Sequence, residues 1–144
     1  MGLKTVAKGL QTPLLYTLPL RLFLAYEWLN SGIGKLQNLA SNPAWAGGFN
    51  AVFGNAAAKN PYPFVADFLR GFAAPNASSI VTFIAVSEVL VGLSFLLGLL
   101  VRPASVGAII MNIFFYLAYG YTSASTAGVN LVMIGAQLTM LLVN

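Results

Sequence analysis

The chain has no cysteine and no histidine among its 144 residues. Without cysteine there is no disulfide framework, no thiolate metal site, no iron–sulfur cluster and no CxxC redox pair. Without histidine as well, the usual haem, zinc and copper ligands and the commonest general base are missing. Any redox chemistry must therefore use a bound organic cofactor or a partner subunit. Charge is scarce: three acidic and seven basic residues make up 7% of the chain, against about a quarter in a water-soluble domain. The net charge of +4 is spread along the sequence. No basic patch suggests nucleic acid, and a negatively charged membrane surface accounts for the excess better.

What is abundant is apolar: 58% of residues are hydrophobic and the mean hydropathy is +0.81, which identifies an integral membrane protein. At about 20 apolar residues per crossing, the length gives room for about four spans and one sizeable loop. The spacing predicts one domain over residues 1–144, with spans at about 14–39, 79–100, 105–121 and 127–143 and a loop over 40–77. The expected fold is all-α, an antiparallel bundle of four transmembrane helices. Lys4 and Lys8 before an apolar run, with Ala44-Trp45-Ala46 downstream, have the outline of a signal peptide. Arg21 and Glu27 interrupt that run, so the segment is expected to remain as the first span.

Asn42-Pro43, Gly47-Gly48, Asn60-Pro61, Pro63 and Pro75-Asn76 are breaker signals that take the 40–77 segment out of the bilayer core. Within it Trp45, Phe49 and Phe53 recur at steps of four, as do Phe64, Phe68 and Phe72. This pattern predicts two short amphipathic helices, lying at the interface or packed on the bundle's end, that cap one mouth. Asn76-Ala77-Ser78 fits a glycosylation sequon, and Asn76 fits equally well as a cap for the following helix. Val101-Arg102-Pro103 reads as a tight turn between the second and third spans. Lys4, Lys8 and Arg102 fall on one side of the membrane and Lys59 and Arg70 on the other. The positive-inside rule then places both termini in the cytoplasm of a multi-pass cell-membrane protein, with the loop between the first two helices outside.

The charges inside the spans demand a reason, because one at the bilayer centre costs roughly 2.5 to 3.5 kcal/mol. In the first span Arg21, Trp28 and Lys35 are seven apart and share a stripe, with Glu27 about 100° round from Trp28. In the second, Glu88 is the sole ionisable group and sits near the middle. Depth alone lets Glu27 and Glu88 meet at the midplane. Side by side, either one carboxylate takes a proton or Arg21 and Lys35, about 9 and 12 Å along the helix from Glu27, neutralise the pair. The bland reading of Lys35 is that it snorkels to the interface, and that of the whole cluster is a salt-bridge network fixing helix register. Asn112, Tyr116 and Tyr119 share a face of the third span, and Asn130 and Gln137 one of the fourth. The amides are ordinarily interhelical hydrogen-bond formers. Ser87, Val91, Ser94 and Gly98 form a mostly small stripe suited to close packing.

These stretches resemble the DoxX family of small four-span membrane proteins. The match runs through Arg21-Leu-Phe-Leu-Ala-Tyr-Glu-Trp-Leu-Asn-Ser-Gly-Ile-Gly-Lys-Leu36, Asn42-Pro-Ala-Trp45 and Ser87-Glu-Val-Leu-Val-Gly-Leu-Ser-Phe-Leu-Leu-Gly-Leu-Leu-Val-Arg-Pro103. It continues in Met111-Asn112 and Gly128-Val-Asn130. It is similar in particular to the branch related to the DoxD subunit of thiosulfate:quinone oxidoreductase. The resemblance implies a four-helix membrane bundle and, for that branch, a subunit that passes electrons from thiosulfate to quinone beside a second subunit. A quinone headgroup needs flat faces to stack on, a donor for each carbonyl and a carboxylate to move the proton. On this reading Glu88, Glu27 and Arg21 are the candidate catalytic residues, and Trp28, Lys35, Asn112 and Tyr116 the candidate quinone-binding ones. The rival is a non-catalytic accessory subunit packed on a larger respiratory complex. A small transporter fits less well, since four spans without inverted repeats or broken helices give little to build alternating access from.

Overall fold

The computed structural model describes residues 16–143, and these are mostly helical with no strand among them. Lys4 and Lys8 lie outside the described residues. Among the described residues six α-helices follow in order: α1 Leu18–Ser41, α2 Phe49–Lys59, α3 Pro63–Phe68, α4 Ala77–Leu97, α5 Val101–Tyr119 and α6 Ala124–Val143. Among the described residues three helical segments are long and apolar enough to cross a membrane: Ala77–Leu97, Val101–Thr122 and Ala124–Val143. Phe83, Leu90, Leu97, Ile110, Val132 and Leu142 on them are exposed, as lipid contact requires. With 24 residues α1 has the length, but Arg21, Glu27, Asn30, Lys35, Gln37 and Asn38 dilute its apolar content.

The boundaries shift from expectation for local reasons. Gly98 adopts φ 70° at the end of α4 and Leu100 has φ 53°. The left-handed residue that glycine allows ends the helix there, so the turn is Gly98–Leu100 rather than Val101–Pro103. Pro103 lies in the first turn of α5, where a missing N–H leaves no helical bond unmade. The start of α6 is fixed by Ser123, whose Oγ accepts from the Thr126 N–H at 3.0 Å. Asn76 does not cap α4. Its Nδ2 donates back to the Phe72 carbonyl at 2.8 Å, beside the π-helical turn Leu69–Ala73 that extends α3.

Helices α1 and α4 are antiparallel: Arg21 lies against Gly98, Leu29 against Gly92, and Gly32 against Ala85 and Val89. The mostly small stripe Ser87, Val91, Ser94, Gly98 is therefore not the whole seam, and Gly92 is one of its two closest points. Helices α5 and α6 pack on each other and α5 on α4. The α2–α3 hairpin covers one end. Trp45 and Phe49 pack against the buried cluster that includes Phe53, Val65, Leu69, Ala73, Val81 and Ala118, whereas Phe64, Phe68 and Phe72 face outward. One aromatic triad thus packs into the bundle end, while of the other only Phe68 meets the bundle, edge-on to Phe114 at 5.7 Å. Asn60 ties the hairpin down, its Nδ2 donating to the carbonyls of Leu117 and Ala118 at 2.8 and 3.1 Å. A second apolar cluster, with Leu24, Trp28, Phe95, Ala108 and Met140, fills the other end. Between the two clusters lies a polar layer.

Candidate functional site

Glu88 lies in that layer with 1% of its side chain exposed. A buried carboxylate needs a partner, and Lys35 on α1 supplies it, with Nζ 3.0 Å from both Oε1 and Oε2. The same ammonium donates to Ser31 Oγ at 2.7 Å, one turn earlier on α1. Lys35 therefore reaches inward and does not snorkel. Because α1 runs on to Ser41, Lys35 is an interior residue of its helix at the level of Glu88.

The ion pair forms one wall of a cavity of about 440 Å³. Phe49, Val52 and Phe53 from α2 form its roof, Val81 and Ile84 of α4 and Phe114, Phe115 and Tyr119 of α5 line its sides, and Thr126 and Asn130 come from α6. Behind Asn130 runs a chain of buried amides. Asn112 Nδ2 donates to Asn130 Oδ1 at 2.9 Å, Gln137 Nε2 to Asn112 Oδ1 at 2.8 Å, and Trp28 Nε1 to Gln137 Oε1 at 2.7 Å. The seven-residue spacing of Asn130 and Gln137 puts both on the face of α6 that meets Asn112. A buried layer that satisfies its amides pairwise across helices is fixed in geometry.

The structure divides the residues singled out from the sequence. Glu88 and Lys35 share the cavity wall, and Asn112 and Trp28 stand behind it in the amide chain. Glu27 pairs with neither Glu88 nor a cation among the described residues. The inward positions of α1 belong to Leu24, Ala25, Trp28 and Gly32, and Glu27, about 100° round from Trp28, is turned aside half-buried. Arg21 does not neutralise Glu88 either. Its guanidinium packs on the Gly98 turn, ten residues or about 15 Å along α4 from Glu88. Its Nε is buried without a hydrogen-bond partner. Tyr116 lies outside the cavity lining, its ring against Gly120. The roof aromatics Phe49 and Phe53 and the wall pair Phe114 and Phe115 were not singled out as binding residues. Their signal was the aromatic clustering beside Tyr119 and the step of four in the cap.

Compared with known families, residues 16–121 match the family model described as DoxX. No curated protein and no solved structure matches the chain.

Proposed function

The chain belongs to the DoxX family of membrane proteins, and on that premise we propose that its aromatic cavity holds a quinone headgroup, making it the membrane subunit of a quinone-linked oxidoreductase. The observation that carries this reading is the Lys35–Glu88 pair set in the wall of a cavity to which Phe49, Phe53, Phe114, Phe115 and Tyr119 contribute five rings. Planar faces supply stacking at low entropic cost. A carboxylate in van der Waals reach of the ring supplies a proton acceptor for quinol or a donor to reduced quinone. Reduction of a quinone takes two electrons and two protons, and this chain has no metal-ligating thiol or imidazole to relay the electrons. They come from a second subunit or a bound donor, with thiosulfate as the donor that the resemblance to the DoxD branch suggests. In this reading α1 is a fourth crossing, with Lys35 and Arg21 turned to α4, and the α2–α3 cap lies on the extracytoplasmic side, with both termini in the cytoplasm.

The test is to titrate 1,4-naphthoquinone into the chain purified in mild detergent and follow emission from Trp45, which packs edge-on to the cavity's Phe49 at 5.0 Å. Saturable quenching is expected. Glu88→Gln, which keeps an acceptor for Lys35, is expected to leave the helical signal intact and to abolish quinone turnover by membranes that carry the chain and its partner. Unchanged turnover would remove Glu88 from the chemistry.

One observation favours a second reading. The Lys35 ammonium is held by Ser31 and by both oxygens of Glu88, as befits a structural tie. On that reading the chain is a non-catalytic accessory subunit whose ion pair fixes helix register. It is expected to leave the membrane in mild detergent with a large partner complex. A monodisperse particle of this chain alone, still quenched by naphthoquinone, would exclude it.

A further inference from the structure

The amide chain behind the cavity has a direction that is held from both ends. An indole N–H can only donate and a backbone carbonyl can only accept. The chain starts at the Trp28 indole and ends where Asn130 Nδ2 donates to the Thr126 carbonyl at 2.8 Å. Between these fixed ends Gln137, Asn112 and Asn130 must each turn the oxygen toward Trp28 and the nitrogen toward Thr126. Reversing any one of them would set two oxygens or two N–H groups against each other in a buried layer, at the cost of an unmade hydrogen bond.

This polarity decides what Asn130 offers to an occupant. Its oxygen is taken by Asn112, and one of its two amide hydrogens by Thr126. The second hydrogen remains, on a side chain that lines the cavity. Across the cavity, the Lys35 ammonium is turned to Ser31 and to the Glu88 carboxylate, and its direction is set by that pair rather than by an occupant. The hydroxyl of Tyr119 turns to suit either role. The donor of fixed position is therefore on Asn130 and not on the lysine.

We infer that the cavity selects a ring bearing a carbonyl oxygen, which accepts from the second N–H of Asn130, and that Trp28 is a positioning residue anchoring the amide chain that keeps this N–H turned to the ligand. The inference rests on the cavity being the quinone site and adds which side chain reads the oxidised ring. A 1,4-quinone has two equivalent carbonyls in detergent. Bound here, one of them meets an amide donor and the other does not, so the site makes them unequal.

The deciding measurement is infrared difference spectroscopy of 1,4-naphthoquinone bound to the purified full chain, with calorimetric titration of the same ligand and of naphthalene as a competitor. The expected spectrum has two carbonyl stretches, one moved to lower frequency. Asn130→Ala is expected to merge them and to weaken naphthoquinone binding about tenfold, the loss of one hydrogen bond to a buried acceptor, while naphthalene affinity stays within about twofold. Equal losses for both ligands would mean that Asn130 only supports the fold and would overturn the inference, as would a single unshifted stretch in the unsubstituted chain, which needs no variant to fold. Failure of the unsubstituted chain to bind naphthoquinone would instead overturn the quinone reading of the cavity, and this assignment with it.

Discussion

Lys35→Ala is expected to destabilise the folded chain by about 3 kcal/mol, the lower end of the range for removing one partner of a buried ion pair. The lower end applies because the lysine side chain is 28% exposed, while Glu88 is 1% exposed. With the ammonium gone, the carboxylate keeps the cost of leaving water and loses both contacts that offset it. The pair joins α1 to α4, so the loss should appear as reduced resistance of the whole helical signal to unfolding in mixed micelles. The double substitution Lys35→Met with Glu88→Leu is expected to recover most of the stability, because two apolar side chains of similar volume carry no such cost. That double variant should still bind naphthoquinone better than naphthalene, since Asn130 and its amide chain are untouched, but without the Glu88 carboxylate it should support no quinone turnover. A single Lys35→Ala variant as stable as the parent would mean that water or another group reaches Glu88, and the ion pair would cease to be the tie between these helices.

The same pair shows where sequence reasoning reaches and where it stops. Three membrane helices were legible because the bilayer imposes about 20 apolar residues per crossing on any chain, and the seven-residue step from Asn130 to Gln137 placed both on one face of α6. Depth was legible too, since Glu88 falls near the middle of α4. Azimuth was not. Glu27 and Glu88 have comparable depths, yet the rotation of α1 is set by Gly32 and Trp28, which take the inward positions and turn Glu27 aside. For Lys35, four residues before the expected end of the span at 39, the sequence leaves both snorkelling and an inward reach to Glu88 or Glu27 open. The helix continues to Ser41, and what lies opposite Lys35 depends on how far α4 slides along it. That register is fixed by contacts between residues some sixty apart, which no local pattern reports. The amides were legible as interhelical partners, but their order from Trp28 to Thr126 was not, because it needs three helices in place at once.

The largest effect of a small substitution is expected at that register. In Gly92→Ala the added Cβ would lie 2.6 Å from Leu29 Cγ and 2.9 Å from the Leu29 backbone nitrogen. The leucine side chain can swing away, but the backbone nitrogen belongs to α1 and moves only with the helix. Gly32→Ala meets the same obstacle from the other side, 2.9 Å from Val89 N and 3.0 Å from the Ala85 carbonyl oxygen. Either change must push the two helices apart by roughly half an ångström in a seam packed to crystal-like density, an overpacking that costs about 1–3 kcal/mol. It should also reach the site, since Glu88 is one turn from Gly92 and its 3.0 Å contacts with Lys35 span the seam. Naphthoquinone affinity is therefore expected to fall together with the unfolding midpoint. Gly34→Ala is the control: it lies on the same helix as Gly32, its Cβ would meet nothing within 4 Å, and alanine in a helix interior should gain up to about 1 kcal/mol over glycine. Opposite signs for Gly92→Ala and Gly34→Ala are the expected result. If both were neutral, the close approach of α1 to α4 would not be what holds Lys35 level with Glu88, and the length of α1 beyond the pair would be the next place to look for that constraint.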